Sequence, residues 1–228
     1  MLFVDADIVA YKASYAAQNK EIDDAIDIVD YLMDVILEDN LFDPGDPFSF
    51  EVYLTGQGNF RYDIAVTAPY KGQRKGEKPL FLYDVREHLV EHWMAQVVHG
   101  EEADDRIAIR VTDEGPHSII ASVDKDFLQI PCTHYNINKQ TWQKVEPHEA
   151  MMNFYTQMLT GDKVDNIIGL YGIGPKKAEK MLAGLETEAD MYQVVLDAYD
   201  GDVERVIENG RLLWLRREED QLWSPPEV

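Results

Sequence analysis

The chain has 228 residues, of which 45% are hydrophobic and 11% aromatic, which is enough for one sizeable core or for a core with a small appendage. No apolar run approaches the about 18 residues of a membrane span, and the N-terminal stretch MLFVDADIVAYK lacks the basic and cleavable apolar segments of a secretory signal. We therefore expect a cytoplasmic protein without membrane contact. The single cysteine, Cys132, excludes an internal disulfide and a thiolate metal cluster.

The charge of the chain bears on its partners. The formal net charge is -22, from 43 acidic and 21 basic residues, and this argues against nucleic acid because a duplex repels an acidic surface. The objection weakens once the basic residues are located, since they are concentrated in the segment YKGQRKGEKP at positions 70–79. That segment contains Lys71, Arg74, Lys75 and Lys78 against Glu77 alone.

The pattern of apolar residues alternates between strands and helices. Leu2–Val4, followed by Asp5, indicates a buried first strand, and residues 22–37 place apolar side chains at helical spacing. Further along, we predict a strand at 48–54, helices at 82–98 and 103–112, and strands at 117–123 and 133–138. This alternation is typical of an α/β fold with a mostly parallel central sheet flanked by helices.

From Glu149 onward the pattern is helical. We therefore divide the chain into an α/β core at 1–150 and a helical region at 151–228, packed with the core as one unit.

Four acidic clusters suggest a metal site. They are Asp5-Ala-Asp7, Glu101–Asp105, Asp124-Lys-Asp126 and Asp162-Lys-Val-Asp165. Any one of them, taken singly, is typical of a solvated face or a helix cap. Asp5 and Asp124, however, follow apolar strands, at the sheet edge where ligands collect in parallel α/β folds, and a carboxylate there is costly without a cation. Oxygen ligands without cysteine or a paired histidine motif predict Mg²⁺ or Mn²⁺, and the number of acids is compatible with two ions about 3.5–4 Å apart.

A glycine-rich turn precedes a short helix. The sequence GIGPKKA at 172–178 lies between predicted helices at Glu149–Leu159 and Pro175–Leu182. Glycines allow close approach of the backbone, and the N–H groups at a helix start can bind a phosphate. Lys176, Lys177 and Lys180 add positive charge. The alternative is a plain helical turn with solvated lysines.

These motifs, in this order, resemble one family. Asp5 after the first strand is followed by YKGQR (70–74), EADD (102–105), SVDKD (122–126) and GDKVDNIIGLYGIGPKKA (161–178). The set is similar to that of the structure-specific 5′ nucleases, which include the flap endonucleases, the 5′-nuclease domain of bacterial DNA polymerase I and bacteriophage 5′–3′ exonucleases. The resemblance runs from residue 1 to about residue 185.

The resemblance implies a fold and an activity. The core would be PIN-like, and a helix–three-turn–helix motif would span about 155–183. The protein would hydrolyse DNA, or RNA in RNA–DNA hybrids, at or near 5′ ends, nicks, gaps or flaps by a two-metal mechanism with Mg²⁺ or Mn²⁺.

The resemblance also implies roles for residues. The first metal would be held by Asp5, Glu102, Asp104, Asp105 and Asp124, and the second by Asp126, Asp162 and Asp165. Lys71 and Arg74 would engage the scissile phosphate, and Tyr70 would stack on a base. Duplex DNA would be bound by Gly172, Gly174, Lys176, Lys177, Lys180 and Lys75, with K⁺ as a further ligand of the turn.

Two departures from the family pattern refine the hypothesis. The place of a further metal-binding aspartate reads LTGQG (54–58), and the interval from Lys71 to Glu102 is short for an arch that threads a flap. We therefore favour an exonuclease acting at ends, nicks or gaps, expected to be monomeric and a possible partner of replication proteins. The alternatives are a catalytically weak or inactive DNA-binding accessory protein and a small RNA-cleaving PIN ribonuclease.

Overall fold

A computed structural model of the chain describes residues 1–43, 45, 49–74 and 76–227. The chain forms two compact units, each built from several segments. The first unit comprises Met1–Gly58, Gly76–Phe127 and Cys132–Lys144, and the second comprises Asn59–Lys75, Leu128–Pro131 and Val145–Val228. Within the described ranges, no helix combines the length and the apolar character needed to cross a bilayer.

The secondary structure alternates through the first unit and is mainly helical in the second. The helices are, in chain order, α1 (Ala6–Ala16), α2 (Ile22–Asp39), α3 (Arg61–Ile64), α4 (Leu82–Trp93), α5 (Ala103–Glu114), α6 (Pro147–Thr160), α7 (Pro175–Leu182), α8 (Glu188–Ala198) and α9 (Val203–Leu213). The strands are β1 (Leu2–Asp5), β2 (Phe50–Thr55), β3 (Gln96–Val98), β4 (Ile119–Ser122), β5 (Thr133–Asn136), β6 (Thr141–Lys144), β7 (Gly161–Asp162) and β8 (Ile167–Ile168).

The first unit is organised around one six-stranded sheet with the order β3-β2-β1-β4-β5-β6. Strands β1 to β5 run parallel to one another, and β6 pairs antiparallel with β5. The central strand β1 is buried along its whole length, as expected for a parallel strand with both faces covered. The predicted α/β class with a mostly parallel, helix-flanked sheet is confirmed.

The spacing of apolar residues and the N-terminal cap account for the formation of helix α2. Its buried residues recur at spacings of three and four positions, and its first turn is closed by a capping box between Glu21 and Asp24. The apolar face therefore packs into the core of the first unit, while the acidic side chains face outward. Helix α1, which the apolar pattern did not reveal, follows β1 directly and buries mostly alanines.

The predicted helix at 82–98 was wrong at its end. Helix α4 ends at Trp93 because Met94 adopts a left-handed backbone conformation with φ of 54°, and the N–H of Ala95 bonds back to the carbonyl of Leu89. The chain then continues as β3, which pairs with β2. The predicted strand at 48–54 is found as Phe50–Thr55, and its first position, Phe48, lies outside the described residues.

The second unit has its own apolar core, formed largely by helices α6 to α9. The buried guanidinium of Arg61 is satisfied by backbone carbonyls, with Nε donating to Leu212 at 2.8 Å and Nη2 to Trp214 at 3.0 Å. A buried charge of this kind needs such partners to be tolerated. Arg61 thereby fixes the segment that begins at Asn59 to the end of α9.

Two glycines allow the short β7–β8 ladder to form. Gly161 has a φ of +67°, and a Cβ at this position would lie 2.3 Å from the backbone nitrogen of Gly169. A Cβ on Gly169 would lie 2.2 Å from the carbonyl carbon of Thr160. No side chain fits between these backbones, so both positions require glycine.

We expect Gly169→Ala to destabilise the second unit. The added methyl would force backbone atoms apart, at a cost of at least about 2 kcal/mol, which corresponds to a drop in Tm of about 4–8 °C for a protein of this size. Calorimetry of the variant measures this. Gly76→Ala is the control, because a Cβ there meets nothing within 4 Å; equal melting of both variants with wild type would contradict the close approach.

Candidate functional site

Two acidic residues, Asp5 and Asp124, lie at the carboxyl edge of the central sheet. Asp5 ends β1 and Ser122 ends the neighbouring strand β4. The hydroxyl of Ser122 donates to Oδ2 of Asp5 at 2.7 Å and accepts the N–H of Asp124 at 3.0 Å. One serine therefore links Asp5 to the turn that carries Asp124 and Asp126.

The electrostatics of Asp5 are unfavourable for a lone carboxylate. Asp5 is only 7% exposed. Burial first, and then the negative charge of Asp7 and that of Asp124, raise the pKa of Asp5 to about 7, against hydrogen bonds from Ser122 and the N–H of Ile8. Because the raised pKa penalises the ionised form, this group lowers the stability of the fold progressively as the pH rises from about 4 to about 7. A cation bound at this edge would remove that penalty.

Asp7 is already paired within the fold. Its Oδ1 accepts from Nη1 of Arg86 at 2.5 Å, and its Oδ2 accepts the N–H of Thr55 at 2.9 Å. Nη2 of Arg86 also donates to the carbonyl of Thr55 at 2.6 Å, and the hydroxyl of Thr55 accepts the N–H of Ala103 at 2.9 Å. Thr55, in the stretch that lacks the expected aspartate, therefore ties the end of β2 to α1, α4 and the start of α5.

The acidic cluster before α5 serves as a helix cap. Glu102 is the N-cap residue and forms a capping box with Asp105, so each carboxylate accepts a backbone N–H of the other's position. Asp104 accepts the N–H of Asp105 at 3.0 Å, and Glu101 pairs with Arg106 at 2.8 Å. The helix-cap interpretation therefore describes part of what these residues do, but Glu101, Glu102 and Asp105 are buried and do not form a solvated face.

The donor set at this edge suits a hard divalent cation. It consists of carboxylates, with a buried Asp5 that gains from a neighbouring positive charge. Among the described residues, however, no three Asp, Glu, His or Cys side chains are gathered into a group that could hold a metal ion. A bound ion would have to draw the carboxylates of this edge closer together.

The second unit contains a cluster of basic groups around Asp165. The Tyr70 hydroxyl donates to Oδ2 of Asp165 at 2.8 Å, Arg74 donates to Oδ1 at 2.7 Å, and Nζ of Lys71 lies 3.9 Å from Oδ2. The backbone adds a further bond, from the N–H of Lys71 to the carbonyl of Asp165 at 2.8 Å. The structure thus brings four predicted site residues together.

Asp162 stabilises the turn that precedes Asp165. It is buried, and its Oδ1 accepts the N–H of Val164 at 2.7 Å and that of Asp165 at 3.2 Å. This arrangement is an aspartate turn that fixes the direction of the β7–β8 connection.

The glycine-rich turn is open to solvent. Gly172 has a φ of +74°, Gly174 caps α7, and Pro175 occupies the first helical turn. Lys176, Lys177 and Lys180 are exposed on α7. Lys75, also predicted to bind DNA, lies outside the described residues.

Sequence reasoning missed Ser122, Thr55 and Arg86. Ser122 stands within the SVDKD motif, so its place two residues before Asp124 was a usable signal. Arg86 gave none, since it contacts Asp7 across 79 positions of the chain.

Comparison with known proteins identifies relatives of this chain. No protein-family model matches it. It is 33% identical over 148 residues to flap endonuclease Xni of Shewanella piezotolerans, covering 56% of this chain and 57% of the relative. It is 31% identical over 145 residues to flap endonuclease Xni of Shewanella frigidimarina, covering 54% and 56%. The chain spans a little over half the length of the relatives that it matches.

Solved structures share the fold. The flap endonuclease of bacteriophage T5, in a pseudo-enzyme-product complex with DNA and metal ions, superposes with a TM-score of 0.62 at 15% identity, covering 93% of this chain and 88% of that one. A mutant of the T5 5′-exonuclease gives 0.60 at 14% identity, covering 93% and 87%. Over a little more than half of its length the chain is similar in sequence to flap endonucleases, and it shares the fold of the bacteriophage T5 flap endonuclease.

Proposed function

We propose that this chain is a metal-dependent, structure-specific 5′ nuclease that hydrolyses phosphodiester bonds of DNA at or near 5′ ends, nicks, gaps or flaps. One observation carries the proposal: a buried Asp5, whose pKa is raised by burial and by the negative charges of Asp7 and Asp124, lies at the carboxyl edge of a parallel sheet. That is the edge at which α/β folds bind ligands. The name flap endonuclease, borne by relatives about one-third identical, supports the same conclusion.

The first unit supplies the carboxylates. Asp5 and Asp124 would hold Mg²⁺ or Mn²⁺ together with oxygens of Glu102, Asp104, Asp105 and Asp126. When bound, such ions activate water and stabilise the leaving oxygen. Asp162 and Asp165, in the second unit, stay predicted ligands of a second ion.

The second unit supplies groups that bind phosphate. Lys71 and Arg74 are held beside Asp165 in orientations fixed by hydrogen bonds and ion pairs. A phosphate of the substrate would compete with Asp165 for these donors. The exposed Lys176, Lys177 and Lys180, together with the backbone at Gly172 and Gly174, would hold the duplex backbone without reading its sequence.

We further propose that K⁺ binds at the glycine turn, that RNA in RNA–DNA hybrids is also cleaved, and that ends are preferred over threaded flaps. We also expect a cytoplasmic, monomeric protein that works with replication proteins.

Mg²⁺ should stabilise the folded protein. A ligand at about 100 times its Kd adds about 2.7 kcal/mol, or about 5–10 °C in Tm for a chain of this size. The Asp5→Asn variant should lose most of the rise in Tm that Mg²⁺ produces. In EDTA it should have a higher Tm than wild type, because the substitution removes a buried negative charge. Melting with MgCl₂ against NaCl at equal ionic strength measures both effects, and a wild-type shift that Asp5→Asn retains in full would contradict the assignment.

Cleavage should depend on Asp124. A 5′-labelled nicked or flapped duplex with Mg²⁺ should release short 5′ products, and Asp124→Ala should lower the rate at least about 10²-fold, as expected when a charge-stabilising element is lost. Asp34→Ala, which removes an exposed acid from α2, is the matched control and should retain the rate. Tight binding without cleavage by wild type would favour the accessory-protein alternative, and cleavage confined to RNA would favour the ribonuclease.

The lysines of α7 should contribute to binding. Lys176→Ala with Lys177→Ala should weaken duplex binding equally for unrelated sequences and should reduce the slope of log Kd against log salt by about two. Lys20→Ala with Lys139→Ala removes the same charge from exposed positions of the first unit. If both double variants weaken binding alike, the loss of affinity arises from the lower positive charge of the protein and not from lost contacts at the glycine-rich turn.

A further inference from the structure

Helix α9 carries a carboxylate that binds a loop far away in sequence. Oε1 of Glu208 accepts the backbone N–H of Val66 at 2.8 Å and that of Thr67 at 2.7 Å. Oε2 accepts the Thr67 hydroxyl at 2.6 Å and an N–H of Arg205 at 3.0 Å. A single side chain thus receives four hydrogen bonds, three of them from the loop that leads to Tyr70.

The side chains of Val66 and Thr67 are not held by apolar packing. The side chain of Val66 is 86% exposed and Thr67 is exposed as well, whereas Tyr70 is buried in the core of the second unit. Because the side chains of Val66 and Thr67 are exposed, the hydrogen bonds to Glu208 anchor the backbone at these two positions.

The same face of α9 also holds the β7–β8 ladder. Nη2 of Arg205 donates to the carbonyl of Ile168 at 2.5 Å, and Nδ2 of Asn209 donates to it at 3.0 Å. Asn209 is fully buried and also bonds to the hydroxyl of Tyr199. Arg205, Glu208 and Asn209 lie three and four positions apart, so they share one side of the helix.

The two segments that α9 holds also contact each other. Asp165, in the β7–β8 connection, binds Tyr70, Lys71 and Arg74, and Nδ2 of Asn166 donates to the carbonyl of Pro69 at 2.9 Å. The basic segment is therefore attached through Asp165 at Tyr70, Lys71 and Arg74, and the loop just before it is attached through Glu208.

We propose that Glu208 is a positioning residue, which sets the placement of Lys71 and Arg74 for phosphate chemistry by fixing the backbone at Val66 and Thr67. The inference rests on the proposed nuclease function and gives helix α9 a role in it. A carboxylate suits this task because it can accept several N–H and O–H bonds at once. Although burial raises the pKa of Glu208, the hydrogen bonds from Thr67, Val66 and Arg205 lower it overall, so the group stays ionised at neutral pH.

The alternative is that Glu208 only forms an ordinary helical ion pair with Arg205, which would contribute little to the stability of the fold. Hydrogen–deuterium exchange of the whole chain separates the two interpretations. Glu208→Gln keeps the size of the side chain but replaces one acceptor oxygen by an NH₂ group. We expect it to speed exchange at 66–74 at least about tenfold, as loss of about 1.4 kcal/mol of local stability would, with α6 and α8 unchanged.

The kinetic test uses a nicked duplex with Mg²⁺. Glu208→Gln should lower kcat about tenfold or more, because small displacements of positioned groups are costly, and should leave Kd for the duplex within about twofold because Lys176 and Lys177 are untouched. Glu204→Gln, which removes the same charge from an exposed position on α9, should behave as wild type. Thr67→Val should lower kcat less, and the double variant with Glu208→Gln should be less than additive.

Each outcome decides the proposal. Unchanged exchange at 66–74, or faster exchange with unchanged kcat, overturns it, and so does a parallel fall of kcat, affinity and Tm, which would indicate general unfolding. If wild type binds DNA and does not cleave it, the nuclease function fails and the positioning role fails with it, whereas the attachment of the loop by Glu208 is still decided by exchange.

Discussion

Repulsion among carboxylates is the constraint on which the first unit's candidate site depends. Folding places Asp5 within the field of Asp7 and Asp124, at low exposure, and the raised pKa of Asp5 reflects that cost. Burial of β1 and its pairing with β2 and β4 fix the backbone position of Asp5. The apolar sheet therefore imposes an unfavourable charge distribution, which is the condition under which a divalent cation binds strongly. An acidic edge of this kind is stabilised by its ligand and destabilised without it.

The second unit shows the converse arrangement, in which a carboxylate holds basic groups in place. Asp165 receives hydrogen bonds from Tyr70 and Arg74 and lies near Lys71. Two cations and a phenol would otherwise repel or move apart, and the bonds to Asp165 keep them oriented before any substrate arrives. The net charge of -22 is therefore compatible with the proposed binding of a polyanion, since Lys71 and Arg74 are gathered around Asp165 and oriented locally.

The sequence was informative where structure follows local pattern. The ends of apolar parallel strands identified Asp5 and Asp124, and the α/β class followed from the alternation of elements. The end of α4 was missed because a left-handed Met94 carries no signal comparable to glycine. Helix α1 was missed because small alanines give a weak apolar stripe. Arg86 and Glu208 could not be found, since their partners lie 79 and 141 or more positions away and no periodicity encodes such contacts. The basic segment was visible in the distribution of charge along the sequence, whereas the roles of its residues came only from the family resemblance.

The structure also limits how many acids of a cluster can be counted as ligands. Both oxygens of Asp7 are occupied, one by Arg86 and one by the N–H of Thr55. The guanidinium of Arg86 is a permanent cation, so it balances the negative charge of Asp7. Unlike a metal ion, it cannot activate a water molecule. Thr55 completes the replacement by fixing the start of α5 through Ala103. On the β2 side of Asp5 the fold thus balances the charge of Asp7 with its own side chains, and Asp124, on the β4 side, is the neighbour with which Asp5 would share the proposed external cation.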